Sequence, residues 1–263
     1  MIRQEIMNFS SHSPEILSQP VAWIAIPGGK VKVISIDSKE GRENYIPQGT
    51  AQIFEVSPFE IAKYPVTNTQ FTPFIEESGY SQRKWWTEEG WREKQQNQWV
   101  EPLFWRDSKW NGANYPLVGV SWYEALAFCH WLSDRTLKRI GLPTEQQWQR
   151  AAQGDTDWHY AWGESFEEDR CNWDTEGTTP VTQYEGKGDS TFGVVDMNGN
   201  VWEWCLTKFE TGENELDGVG SRIVRGGAWA LLYSHEIILG STDRLNILPS
   251  ERRTDVGFRC VRS

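Results

Sequence analysis

The stretch FGVVDMNGNVWEWC, residues 192–205, decides how the rest of the chain is read. Gly199 and Asn200 are residue types that enter the left-handed backbone region readily, so a tight turn is expected there. Directly after it, Trp202 and Trp204 flank Glu203 with the period of two that a β-strand imposes. Outward from this turn and strand, RIVRGGAW (222–229) sets two glycines, Gly226 and Gly227, that allow the backbone to approach a neighbour closely.

Composition agrees with a fold assembled from such turns. The 263 residues include 16 tryptophans and an aromatic share of 13%, yet the hydrophobic share is only 38%. The core must therefore rest on a few large rings, with indole N–H groups bonding to loop carbonyls, which suits a loop-rich α+β fold. A net charge of −11 and the lack of a basic stripe exclude nucleic acid as a partner, because phosphate binding needs clustered Lys and Arg. The first twenty residues carry no apolar signal-peptide core, and no later run is long enough to span a membrane, which points to a cytoplasmic protein with no membrane partner. Cys129, Cys171, Cys205 and Cys260 form no CxxC pair, so they carry no zinc or redox motif. They read as buried thiols, with a disulfide among them left open.

Residues 1–20 read as a tail or first edge element, and 21–263 as one domain. VAWIAIPGGKVKVIS (21–35) gives two strands around a Gly28–Gly29 turn, and FEVSPFEIAKYPVT (54–67) one strand ending at Pro65. Three helix starts share a capping box, a Ser or Thr followed three residues later by Glu or Gln: Thr67 with Gln70, Ser121 with Glu124, and Thr144 with Gln147. In the second, Ala125, Phe128, Cys129, Trp131 and Leu132 form one apolar face. Pro73 inside the first predicts a kink or a short helix that ends before Gly79. Residues 80–120 hold Trp85, Trp86, Trp91, Trp99, Trp105 and Trp110 without helical or strand periodicity and read as an ordered aromatic loop region. There is no internal repeat, low-complexity linker or long charge run.

In order, IPGGK, KYPVTNTQF, SGY, PLVGVSWYEALAFCHWL, GLPTEQQWQRAAQG, YAWG, FGVVDMNGNVWEWC, RIVRGGAW and VGFRCV make a set that resembles the formylglycine-generating, or sulfatase-modifying-factor, family across about nine-tenths of the chain. The resemblance implies the C-type lectin fold, in which the closing strand joins the two ends of the chain. It also implies an oxidation chemistry that needs two copper-binding cysteines just beyond the GG-aromatic motif, since such a metal demands soft thiolates. Those two places hold Leu231 and Glu236, so no catalytic residue and no copper are expected. The related iron-dependent sulfoxide synthases draw three histidines from an added helical domain. Here His12, His130, His159 and His235 form no such cluster; His130 reads as a helix-surface residue, and iron is not expected. A structural calcium ion is implied at Asp196, Gly199, Val201 and Glu203, with the glycine and valine offering carbonyls. A second implied set, Asn172, Trp173, Thr182 and Tyr184, has threonine where the family has aspartate, which weakens it. The sugar-coordinating EPN and QPD triplets of true lectins are absent.

The least typical stretch is ALLYSHEIILGSTDRLNILPSERRTDV, residues 230–256. Its frame, Arg244, Pro249 and Arg252 followed by Gly257-Phe258-Arg259, follows the family. Its filling has become aliphatic, and resembles the variable proteins of diversity-generating retroelements, which use this fold and mutate adenines in asparagine-type codons. Most positions could arise that way, but Glu236 and Glu251 could not. The implied ligand-binding set within segment 230–255 is Ala230, Leu231, Leu232, Tyr233, Ser234, His235, Ile237, Ile238, Leu239, Leu245, Asn246, Ile247, Leu248, Arg253, Thr254 and Asp255. An apolar patch ringed by His235, Asp243, Arg253 and Asp255 would suit a protein or other macromolecular ligand. The same IIL and LNIL runs also read as buried strands. The expectation is thus a monomeric, non-catalytic binding module, with a metal-dependent oxidoreductase and an accessory domain with one constant partner as alternatives.

Overall fold

Each of the three capping boxes opens a helix. In the computed structural model, which describes residues 17, 19–36, 49–216, 218–230 and 239–263, Thr67 Oγ1 accepts from Gln70 N–H at 3.2 Å while Gln70 Oε1 accepts from Thr67 N–H at 3.1 Å. Ser121 with Glu124 and Thr144 with Gln147 repeat the exchange. The helices are α1 (Asn68–Glu76), α3 (Trp122–Thr136) and α4 (Glu145–Gln153). α1 keeps Pro73 inside it and ends before Gly79, whose N–H closes back on the Phe74 carbonyl at 2.8 Å. The region 80–120 is not wholly loop. It contains a single 3-10 turn, Arg83–Trp85, and a further helix, α2 (Glu88–Gln96), capped by Thr87.

The strands fall into three sheets. β1 (Trp23–Ile26), β4 (Phe59–Ala62), β10 (Val261–Arg262) and β5 (Ile140–Gly141) lie side by side in that order, so the last strand sits beside the partner of the first. Among the described residues β2 (Gly29–Ile36) pairs only with β3 (Gly49–Val56), and the third sheet runs β8 (Arg244–Ile247), β7 (Arg222–Arg225), β6 (Trp202–Lys208), β9 (Val256–Gly257). Two sequence expectations change here. Gly28–Gly29 is not a hairpin turn, because β1 and β2 join different sheets. The 54–67 strand is broken at Ser57–Pro58 into the end of β3 and β4, where proline cannot donate to a ladder.

The main core surrounds α3. Ala125, Phe128, Cys129, Trp131 and Leu132 are all buried, and Phe128 stacks on Phe71 at 5.1 Å while meeting Phe258 edge-on at 5.7 Å. Indole N–H groups staple loops to this core: Trp86 donates to Gly79 O, Trp122 to Cys205 O and Trp204 to Val120 O. All four cysteines are buried free thiols, with Cys129 and Cys260 facing each other at 3.8 Å. His130 is half-buried, and its Nδ1 donates to the Trp85 carbonyl at 2.7 Å. No helix among the described residues is long and apolar enough to cross a membrane.

Candidate ligand-binding face

The 196–204 turn and strand fix the geometry around the C-terminal segment. Asp196, Gly199 and Asn200 all adopt positive φ (55°, 89° and 66°). A Cβ at Gly199 would lie 2.5 Å from the Asn172 carbonyl oxygen, so only glycine fits there. Asn200 ties the neighbouring loop: its Oδ1 accepts from Asn172 Nδ2 at 3.1 Å and from Thr179 N–H at 3.0 Å, and its Nδ2 donates to Asp196 Oδ2 at 2.8 Å. Gly199 N–H donates to Gly226 O, and Trp229 N–H to Asn200 O, which docks the RGGAW backbone on the turn.

Beneath the turn lies a closed ion pair. Glu203 and Arg259 have no exposed side-chain surface, and Arg259 Nη2 and Nε each reach a Glu203 oxygen at 2.6 Å. Trp148 Nε1 adds a third bond at 2.8 Å. Arg225 is buried too, donating to Glu145 at 2.8 Å, Gln149 at 2.9 Å and the Ser241 carbonyl at 2.6 Å.

These contacts hold both flanks of residues 231–238. On the near side, Trp229 O accepts from Thr175 N–H at 2.9 Å and its indole donates to Thr254 O at 3.2 Å. On the far side, Asn198 Nδ2 donates to Leu239 O, Ser241 N–H to His159 O at 2.7 Å, and Gly240 N–H to Asp243 Oδ2 at 2.7 Å. Leu231, Leu232, Tyr233, Ser234, His235, Ile237 and Ile238 of the sequence-derived set, and Glu236 with them, lie outside the described residues.

The described members of the set divide. Ala230, Arg253 and Thr254 are half-buried, and Asn246 and Leu248 are exposed, Leu248 at 52%. Leu239 and Ile247 are core, Leu239 beside Tyr160 and Cys171 and Ile247 in the main cluster with Leu245 packed against it. Their expected place on an outward patch is corrected, because β8 pairs with β7 and turns Ile247 inward. Asp243 and Asp255 are buried as well rather than forming a rim. Asp255 takes a two-pronged bond from Arg253 at 2.8 and 2.7 Å. Burial pushes the Asp243 carboxyl above its ordinary range.

Sequence reasoning missed the loop that joins this face from the other side. Gly119 bridges the two stretches, its carbonyl accepting from Leu103 N–H and its N–H donating to Arg253 O. Trp110 packs 5.4 Å from Trp229, with Lys109 Nζ 4.8 Å from the first ring and 6.0 Å from the second. Val100 and Leu103 are 68% and 55% exposed. The density of tryptophan in 80–120 was the available signal.

Of the residues implied for calcium, Glu203 is already matched by Arg259 and Trp148. Asp196 differs: it is buried and makes no ion pair among the described residues. Burial pushes its carboxyl up to about 7. That buried, unneutralised carboxylate fits a hard cation. In the weaker set, the Asn172 side chain is spent on Gly177 O, Asn200 and Thr175. No group of three or more His, Cys, Asp or Glu side chains able to hold a metal occurs among the described residues.

Among the described residues, two antiparallel sheets and one mixed sheet, four helices and long tryptophan-stapled loops, with the last strand set between β4 and β5, define a C-type lectin fold of the formylglycine-generating type. A family model described as the sulfatase-modifying factor enzyme 1-like domain matches residues 10–263, and the chain belongs to that family. It is 29% identical to the inactive C-alpha-formylglycine-generating enzyme 2 of Bos taurus, over 92% of this chain and 88% of that one. It is 28% identical to the formylglycine-generating enzyme of Thermomonospora curvata, over 97% and 98%. Among solved structures, Treponema denticola variable protein 1 superposes with a TM-score of 0.63 at 20% identity, covering 91% of this chain and 94% of the other, a likeness of fold.

Proposed function

We propose that this protein is a non-catalytic binding module that presents residues 230–255, together with the 100–110 loop, to a protein ligand. The observation that carries this reading is the pairing of an intact frame with a replaced filling. Arg225, Trp229, Ser241 and Arg259 hold the flanks through buried bonds. Aligned on RGGAW, the places where the resemblance puts the enzymes' thiolates hold Leu231 and Glu236. Neither side chain can act as the soft thiolate that this chemistry needs. A rigid scaffold with exposed Leu248 in the segment and exposed Val100 and Leu103 in the 100–110 loop supplies desolvation energy without ordering loss in the frame. The likeness to a variable protein supports a diversified surface as the form this binding takes. In the same reading Asp196 holds a structural calcium ion with the Gly199 and Val201 carbonyls, and Glu203 keeps Arg259.

Two measurements test the proposal. Stoichiometric copper or iron in the purified protein, together with oxygen consumption, would sink it. The DNA beside the gene is the second: a diversified surface requires a near-copy of codons 230–255 differing mainly at adenines, next to a reverse-transcriptase gene. Without that copy the surface is constant and serves one partner.

A further inference from the structure

The β2–β3 hairpin stands apart from the other two sheets. Its eight residue pairs run from Gly29↔Val56 to Ile36↔Gly49 without a bulge. One face, Val31, Val33, Phe54 and Val56, packs on the cluster that includes Trp148 of α4. The other face carries the cross-strand pairs Lys30↔Glu55, Lys32↔Ile53 and Ile34↔Ala51.

The two edges of this hairpin differ. β2 is partly tied down, its Lys32 carbonyl accepting from Gln149 Nε2 at 2.7 Å. β3 pairs with β2 alone among the described residues, and Ala51, Gln52, Ile53 and Glu55 are exposed, Ile53 at 71%. Soluble proteins usually defend such an edge with lysine, proline, a bulge or short length. From Ala51 to Val56, β3 has none of these and a single charge, Glu55. A long, unbroken edge with an exposed isoleucine at its centre is a template for strand addition.

The pattern of β3 fits a second copy of itself. In an antiparallel pair placed on a two-fold axis through Ile53, Ile53 lies opposite its own copy, Gln52 opposite Phe54, and Ala51 opposite Glu55. The glutamates are thereby kept from facing one another, and each pair places like faces together, as side-chain alternation requires. We propose that the protein self-associates through β3, joining two hairpins into one four-stranded sheet. A contact of one strand per copy is small, so the dimer is reversible and depends on concentration.

Sedimentation velocity over a concentration series of the full chain reads the proposal directly: the wild type should move toward twice the chain mass as concentration rises. Ile53→Lys sets like charges opposite each other on the axis and should weaken self-association by about tenfold or more, with tryptophan fluorescence unchanged because the site is exposed. Ile53→Cys gives an independent readout. Directly opposed residues have Cβ atoms near disulfide range, so diamide, taking up the two thiol hydrogens, should cross-link Ile53→Cys chains well ahead of a Glu55→Cys control. A wild type that stays at single-chain mass at its highest soluble concentration, a dimer indifferent to Ile53→Lys, or Ile53→Cys cross-linking no faster than Glu55→Cys would each overturn the proposal.

Discussion

Residues 202–204 open β6, and residues 245–248 end β8 of the same sheet and pass one residue beyond it; each stretch treats its side chains in an unusual way. In the first, Trp202, Glu203 and Trp204 are all buried, so a carboxylate sits in the core with its charge matched by Arg259. In the second, Ile247 is buried, while Asn246 and Leu248 face solvent. The frame thus buries charge, and the edge exposes aliphatic surface. Buried charge requires every partner in place and so specifies one geometry. Exposed aliphatic surface contributes little to the fold and is free to change.

The sharpest way to break this contrast is to remove the partner of the buried charge. Arg259→Ala leaves Glu203 without a counter-ion and should destabilise the protein by about 3–5 kcal/mol, enough to unfold many domains. Urea denaturation checks it; a loss below about 1 kcal/mol would mean that the pair behaves as a surface one.

Asp196 is the next test, and its sign depends on pH. Its ordinary pKa of 3.8 rises to about 7 in the fold, so the folded state holds a proton over that window that the unfolded chain has released. The contribution of Asp196 to stability is then fully present below about pH 4 and is lost as pH rises toward 7. Asp196→Asn keeps an acceptor for Asn200 and tolerates the left-handed backbone. Without calcium, the variant should match the wild type near pH 4 and exceed it at pH 8, by at most about 4 kcal/mol. Calcium should raise the wild-type melting temperature at pH 8 and leave the variant unmoved. A wild type indifferent to calcium would remove the ion from this site.

How much of this was legible in the sequence follows from range. The capping boxes are bonds within four residues, and all three formed. α2 escaped because EEGWREKQQ lies on the surface with little apolar stripe; its Thr87 cap, acidic first turn and Lys94 near the end were the quieter signals. The Gly28–Gly29 error was long-range. A Cβ at Gly29 would lie 2.6 Å from the Arg150 guanidinium carbon, and one at Gly28 would lie 3.0 Å from the Pro58 ring. Those glycines serve close packing across the fold rather than a hairpin. In LNIL the period of two was readable, but its phase was not, because β7 sets which residues turn inward.

That phase gives the next prediction down in size. Ile247→Ser opens space in the main core and places a hydroxyl there, which should cost about 2–4 kcal/mol. Thermal or urea denaturation decides it, and a change under about 0.5 kcal/mol would show that Ile247 is not core.

The smallest expected effect is next to it. Leu248 is 52% exposed, and the contact that fixes its backbone is the bond from Glu251 N–H to its carbonyl, which a substitution leaves intact. Leu248→Ser should therefore change stability by no more than about 0.5 kcal/mol. The pair of variants isolates one residue of register, since the two positions differ in facing rather than in chemistry. A loss above about 1 kcal/mol at Leu248 would mean that the side chain is covered in solution and that the edge is core after all. A neutral result leaves a large aliphatic group on the surface that the fold does not need, beside a frame that holds its position, and surface of that kind is what a ligand can use.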